Sequence, residues 1–174
     1  MRKKHSNIQE LCTVGLTCAL LCILAPISIP TPLGIPATLQ SFIITLIAIV
    51  MNPKQSVTAC ITYIILGAFG LPIFSNFTGG WQMLIGPTGG FLLSFPIMAY
   101  IISKMPNAFG ITIGTITNFT SGLLMYCFIT NSNVQIGLTT CVIPFIPIAL
   151  VKAYLAYLIG KNIRKRLNQL QIVD

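Results

Sequence analysis

A single lysine stands inside the apolar segment PFIPIALVKAYLAYLIG, residues 144–160. A helix that begins near Phe145 at the outer face of a membrane places Lys152 about 10 Å inside, because each helical residue rises 1.5 Å. An unpaired ammonium at that depth costs at least about 2.5 kcal/mol. We therefore expect Lys152 to bind an anion that a ligand supplies. The alternative is a lysine that is hydrogen-bonded to backbone carbonyls or hydrated in a cavity.

Few other side chains could carry chemistry. The only acidic residues are Glu10 and Asp174, and the only histidine is His5. Metal sites and general acid–base sites need clusters of such side chains, and a proton-coupled carrier normally keeps an ionisable relay inside the membrane. No GxxxxGK[ST] phosphate loop occurs. We therefore expect neither catalysis nor a metal or cofactor bound by this chain, and an energised function would depend on a partner.

A glycine-rich stretch, GLPIFSNFTGGWQMLIGPTGGF at 70–91, interrupts the apolar sequence. Gly86, Gly89 and Gly90 would let the backbone approach a ligand closely, and free N–H groups at the start of the next helix favour an anion or a carbonyl. A tight turn followed by a helix start explains the same residues without a ligand.

Three aromatic residues in this stretch, Phe74, Phe77 and Trp81, could form an apolar lid over a ligand. Single aromatic residues at such positions are also typical of membrane-interface anchors.

Small residues recur every four positions in FGITIGTITNFTSGLLMY, residues 109–126. The residues concerned are Gly110, Gly114, Asn118 and Gly122. Such a face lets helices pack closely, and packing is the better interpretation for the glycines. Asn118 would bond across the helix interface or to a ligand. A similar pair, Gly15 and Ala19, would dock a partner subunit or pack inside the bundle.

The elements that position these residues are apolar helices. Charged residues make up only 7% of the 174 residues, against about 25% in a soluble domain. Several runs are long enough to cross a bilayer core, which takes about 20 residues. The sequence predicts an all-α integral membrane protein of six spans in a single domain, residues 1–174. The predicted spans are 8–27, 37–52, 56–71, 88–104, 109–130 and 145–164.

The formal net charge of +8 reflects topology rather than nucleic-acid binding. With six spans, nine of the ten Lys and Arg residues, all except Lys152, fall on one side of the membrane. The opposite loops 28–36, 72–87 and 131–144 carry no charge. This positive-inside pattern predicts a multi-pass protein of the cell membrane with both termini cytoplasmic.

Four segments in this order, TLQSFIITL (38–46), YIILGAFGLPIF (63–74), GPTGGFLLSFP (86–96) and PFIPIALVKAYLA (144–156), resemble the BioY family. That family comprises the biotin-binding substrate-capture (S) components of energy-coupling factor (ECF) transporters. The resemblance implies six helices with an outer biotin pocket. It also implies partners: one transmembrane T subunit and two ATPase subunits that use the ATP.

The resemblance assigns roles to the candidate residues. It pairs the carboxylate of biotin with Lys152 and the fused rings with aromatic side chains, and it gives the ureido group hydrogen bonds from polar side chains and from the GPTGG backbone. The substrate-binding candidates are Gln40, Tyr63, Phe74, Asn76, Trp81, Gly86, Thr88, Gly89, Phe91, Asn118 and Lys152.

One departure from the family pattern concerns the residues before the lysine. The family usually reads Phe-Ile-Pro-Gly-Asp-Leu-Leu-Lys, whereas Ile148 and Ala149 here replace the Gly-Asp pair. The alternatives are therefore an S component for a different small carboxylate vitamin or a membrane scaffold without a ligand. A stand-alone permease would need a continuous polar path below Lys152, and the sequence offers none.

Overall fold

The computed structural model describes residues 7–29, 31 and 36–169. The basic residues Arg2, Lys3 and Lys4, on which part of the predicted topology depends, lie outside the described residues, as do His5 and Asp174. The elements in chain order are α1 (Asn7–Leu24), β1 (Ser28–Ile29), β2 (Ala37–Thr38), α2 (Gln40–Val50), α3 (Pro53–Ala68), a 3₁₀ turn (Ser75–Phe77), α4 (Gln82–Ile85), α5 (Gly89–Lys104), α6 (Ala108–Thr130), α7 (Val134–Gly137), a π-helical turn (Leu138–Val142), a 3₁₀ turn (Ile143–Phe145) and α8 (Ile146–Gln169).

Each of the six predicted spans coincides with one long helix, namely α1, α2, α3, α5, α6 and α8. The largest difference is at α8, which ends at Gln169, five residues after the predicted end at residue 164. Helix α3 begins three residues before the predicted start at residue 56. Pro53 occupies the first turn, where a missing N–H costs little, and the Asn52 side chain accepts a hydrogen bond from Gln55 N at 2.9 Å. Asn107 caps α6 in the same way, through Gly110 N.

The core lies where α2, α3 and α5 meet, with α1 packed on α3 and with α6 and α8 at the flanks. Ile44, Tyr63, Met98 and Ile102 are almost completely buried there. The pair β1–β2 is antiparallel, with Ser28 opposite Thr38. This short ribbon leads directly into α2.

Two helical stretches of the described chain, Ala108–Thr130 and Val134–Leu167, are long and apolar enough to cross a membrane. Only 28% and 17% of their most apolar windows are buried. Three further apolar helices are shorter: Ile8–Leu24, Gln40–Val50 and Gly89–Lys104. Apolar side chains that point outward are the reverse of the pattern of a soluble core helix.

Candidate functional site

A cavity opens between α2, α5, α6 and α8 beside the β1–β2 ribbon. Its empty space is about 900 Å³ when the open mouth is included. Apolar and polar side chains line it together, as in most small-molecule sites. The polar lining residues are Thr38, Gln40, Ser41, Thr45, Ser75, Thr88, Thr115, Asn118 and Lys152, and the larger apolar ones include Phe91, Leu92, Phe95, Met98, Phe119 and Phe145.

Lys152 reaches this cavity from the second turn of α8 and is half-buried. Its Nζ donates a hydrogen bond to the backbone oxygen of Thr38 on β2. Glu10, the only acidic residue in the described part of the chain, pairs instead with Lys54 at 3.0 Å. The ammonium therefore has a carbonyl partner but no carboxylate partner among the described residues. The bond to Thr38 O agrees with the alternative interpretation, in which backbone carbonyls bind the lysine. The positive charge of Lys152 is nevertheless still available to an anion in the cavity.

The start of α8 explains how the lysine is placed. Leu138–Val142 form a π-helical turn and Ile143–Phe145 a 3₁₀ turn before α8 begins. Pro144 lies in the first turn of this 3₁₀ segment, where its missing N–H costs little. Ile148 and Ala149, which stand at the positions of the family's Gly-Asp pair, also line the cavity. The departure from the family pattern thus lies on the cavity wall, one turn before Lys152.

Gln40 begins α2 and is almost fully buried beside the cavity. Its Nε2 donates to the hydroxyl of Tyr63 at 2.7 Å, and that hydroxyl donates to Ile73 O at 2.9 Å. Tyr63 does not line the cavity. It supports Gln40 from behind.

Asn118 joins α6 to α5 at the cavity wall. Its Nδ2 donates to Phe91 O at 3.0 Å and to Ser94 Oγ at 2.7 Å. The sequence left open whether Asn118 bonds across a helix interface or faces a ligand. The structure gives it the interface bonds and also a place in the cavity lining.

The GPTGG segment divides between the cavity and packing. Thr88 and Phe91 line the cavity. Gly86 and Gly89 do not: a Cβ on Gly86 would lie 3.1 Å from Gln82 O, and one on Gly89 would collide with Leu84 O. For these two glycines the close approach is to the backbone of α4, so the turn-and-helix-start interpretation describes them.

The predicted aromatic lid is not found over the cavity. Phe74 is fully buried, with its ring against Gly67 and edge-to-face with Tyr63 at 5.5 Å. The Phe74 ring packs into the core rather than over the cavity because Gly67, which has no side chain, leaves space for it. Phe77 and Trp81 are 67% and 66% exposed, and neither lines the cavity.

Asn76 does not line the cavity, although its neighbour Ser75 does. Its Oδ1 accepts a hydrogen bond from Ser28 Oγ at 2.6 Å, and its N–H donates to the same oxygen at 3.0 Å. Asn76 therefore ties the 70–81 loop to β1. Its backbone is left-handed, with φ of 56°, a conformation that Asn tolerates better than most residues.

Several lining residues were not predicted. Thr115 and Phe119 line the cavity beside Asn118, and Phe95 and Met98 continue the side of α5 that Phe91 begins. Thr115 lies three residues before Asn118, and Phe95 and Met98 lie four and seven residues after Phe91, so helical spacing is the signal that would have found these three. Thr38 lies on the two-residue strand β2 and Ser75 in a three-residue 3₁₀ turn, and elements this short give no periodic signal.

Comparisons with known proteins agree with this architecture. A family model described as "BioY family" matches residues 1–169. The biotin transporter BioY of Thermotoga maritima is 35% identical over 166 residues, 91% of this chain and 97% of that protein. Biotin transporter BioY2 of Lactococcus lactis is 32% identical over 166 residues, which cover 90% of this chain and 91% of that protein.

A solved structure agrees in fold. The crystal structure of the S-component for biotin from an ECF-type ABC transporter superposes with a TM-score of 0.83 over 95% of each chain, at 23% identity. The fold is thus that of an S component, and the protein is a membrane protein. With a family match that spans almost its whole length, the chain belongs to the BioY family.

Proposed function

We propose that this protein is the S component of an ECF transporter and captures biotin for uptake. The observation that carries the proposal is Lys152, a cation on the wall of a cavity with no acidic partner among the described residues. The relatives named above are biotin transporters, and biotin combines one carboxylate with an apolar ring system. Both parts match the lining.

In this proposal the carboxylate of biotin takes the place of Thr38 O as the partner of Lys152. A charge-assisted bond to a carboxylate is stronger than one to a neutral carbonyl. The fused rings then lie against Phe91, Leu92 and Phe95. Desolvation of these apolar surfaces supplies the non-directional part of the affinity.

The topology is part of the same proposal. We infer six spans, with the cavity outside and both termini in the cytoplasm. Helices α2, α5 and α8 each begin at the cavity and run toward basic residues, namely Lys54, Lys104 and Lys161. Arg164 donates to Ile49 O, so the far ends of α8 and α2 meet. Green fluorescent protein fused to the C-terminus should fluoresce, whereas an alkaline phosphatase fusion there should be inactive.

The partners follow from the same role. Two ATPase subunits hydrolyse the ATP that supplies the energy for transport, and this chain itself binds no cofactor. A transmembrane T subunit contacts α1. Gly15 and Ala19 are exposed, and a Cβ added to Gly15 would meet no atom within 4 Å. Leu11, Leu16 and Ile23 extend the exposed apolar face.

Calorimetric titration of the purified protein with biotin tests the capture role. The fluorescence of Trp81, the single tryptophan of the sequence, would report binding poorly because this residue does not line the cavity. Breaking a buried ion pair costs about 3–5 kcal/mol, so Lys152→Met should weaken binding at least about 100-fold while the protein stays folded. Lys161→Met, an exposed lysine further along α8, is the matched control and should bind normally.

Two results would count against the proposal. Unchanged affinity for biotin in Lys152→Met would show that Lys152 does not form the proposed ion pair with the carboxylate of biotin. A flat titration of folded wild type would return attention to the alternatives, an S component for another small carboxylate vitamin or a ligand-free scaffold. The names of the relatives favour neither alternative.

A further inference from the structure

A second concave surface, the α6–α8 groove, lies between these two helices and includes the π-helical turn before α8. Helix α6 packs along α5 but contacts α8 at only a few points, which leaves the groove between them. Its empty space is about 900 Å³ when the open mouth is included. The groove follows α6 from Ile111 to Leu123, a length of about 18 Å at 1.5 Å per residue.

The surface of the groove is apolar. Of the described residues that line it, the polar ones are Thr112, Thr115 and Thr120. The hydroxyls of Thr112 and Thr120 donate to the backbone oxygens of Ala108 and Ile116, one turn earlier on α6, both at 2.9 Å. These hydroxyl protons are therefore used within the helix. Water or a polar ligand needs several polar partners to be held in such a space, and this groove offers few.

The groove opens toward the hydrocarbon of the membrane. It lies between Ala108–Thr130 and Val134–Leu167, the two described stretches that are long and apolar enough to cross a membrane, and only a minority of the side chains in these stretches is buried. Ile116 and Leu150 line the groove and are 58% and 66% exposed. Its length of about 18 Å slightly exceeds one leaflet, which is half of a bilayer core of about 30 Å. The surroundings of the groove are therefore lipid chains.

The groove and the candidate ligand cavity share a wall. Four residues, Thr115, Phe119, Ala149 and Ala153, line both spaces. At this point one layer of side chains lies between the cavity and the lipid. Whatever occupies the groove therefore contacts the outer side of the cavity wall.

We propose that the α6–α8 groove binds one acyl chain of a membrane phospholipid, which covers the lipid-facing side of the cavity wall. Side chains that face an empty groove have no partner atoms there, and a chain that fills the groove restores those contacts. The groove is too small to enclose a helix of another subunit, because a helix of the same length, about 10 Å across, has a volume of about 1,400 Å³. This assignment goes beyond the proposed function and does not depend on which ligand the cavity binds.

Photolabelling in a bilayer tests the proposal. The protein is reconstituted in phosphatidylcholine nanodiscs that contain a small fraction of phosphatidylcholine with a diazirine in one acyl chain. After irradiation, peptide mass spectrometry compares the labelling of Leu123 and Leu124. These two leucines are neighbours on α6, but Leu123 is half-buried and lines the groove, whereas Leu124 is 64% exposed and does not line it.

A chain in the groove should label Leu123 at least as strongly as Leu124. If no chain enters the groove, labelling should follow exposure and be several-fold weaker at Leu123. That result would overturn the proposal, and it would also be the result if a second copy of the protein covered the groove.

A groove-filling variant supplies the second measurement. Thr120→Trp places an indole ring in the groove, one turn from Leu123, and should lower the Leu123-to-Leu124 labelling ratio at least about fivefold, because the ring and the chain cannot occupy the same space. If Thr120→Trp does not fold, Val142→Trp fills the groove from the opposite wall. The matched control is Leu155→Trp, at an exposed position of α8 outside the groove, which should keep the ratio of wild type.

An unchanged ratio in the folded groove-filling variant would overturn the proposal, because the label would then reach Leu123 by another route. A lowered ratio in that variant, with no change in Leu155→Trp, supports it. A flat biotin titration would count against the proposed function alone, since the labelling ratio is measured without ligand.

Discussion

Helices α1 and α6 carry the same small-residue spacing and use it differently. On α6, a Cβ added to Gly114 would lie 2.8 Å from Ile102 Cγ1, and one added to Gly122 would collide with the ring of Phe91. On α1, a Cβ added to Gly15 would meet nothing within 4 Å. The α6 face is closed by α5, whereas the α1 face is open.

The difference teaches what the spacing encodes. Small residues every four positions permit close approach of a second helix, but the spacing does not say which helix approaches. On α6 the partner comes from the same chain. For α1, we propose that it comes from the T subunit.

The largest loss of stability is expected at a glycine that contacts the backbone of another helix, because backbone cannot move aside as a side chain can. A Cβ on Gly90 would collide with Ser121 O and lie 2.7 Å from Met125 Cβ. Gly90→Ala should therefore separate α5 from α6 and cost about 1–3 kcal/mol of stability. Thermal unfolding in detergent measures the loss.

Gly15→Ala is the control for this variant. It should leave the unfolding temperature unchanged or raise it, because alanine is favoured in helices by up to about 1 kcal/mol over glycine. Equal stability of Gly90→Ala and wild type would show that the α5–α6 approach is not tight.

A second variant tests the open face. Gly15→Leu should leave stability and biotin affinity unchanged, since Gly15 is exposed and an added Cβ meets no atom within 4 Å. It should weaken assembly with the T subunit by at least about tenfold, because bulk on a small-residue face prevents close helix packing. Co-purification with the complete ECF module measures this.

Leu124→Trp, a change of another exposed apolar residue, is the control and should assemble normally. Normal assembly of Gly15→Leu would move the proposed interface away from this part of α1.

The smallest effect is expected at Gly122. The obstacle there is the end of the Phe91 ring, which can rotate where backbone cannot. Phe91 lines the cavity and packs edge-to-face on Phe119 at 6.3 Å. Gly122→Ala should therefore weaken biotin binding by about three- to tenfold, with little change in unfolding temperature. A large stability loss with intact binding would contradict this, and Leu124→Ala is the control.

The helices and part of the site were predictable from local signals. Apolar runs and the caps at Asn52 and Asn107 locate α3 and α6 within a few residues. Lys152 and Asn118 are polar residues in apolar helices, and burial of such residues has a cost that points to a bonding role. Both line the cavity.

The loop residues were less predictable. Phe74 and Trp81 belong to one glycine-rich stretch, yet the first is buried and the second exposed. What separates them is the space above Gly67, near the end of α3, which the Phe74 ring fills. Gly67 is only seven residues before Phe74, but the periodicity of the sequence does not show that the chain after α3 folds back onto this glycine.

The sequence by itself determined which segments are helical and apolar and which polar residues those helices carry, because periodicity and hydropathy are local properties. It also determined the family. The tertiary structure alone decided that Lys152 meets Thr38 O and that Gln40 and Asn118 line one cavity. It also decided that another helix packs against Gly90, whereas no described atom lies within 4 Å of a Cβ added to Gly15. Each of these depends on the relative placement of elements distant in sequence, which packing sets and no single segment contains.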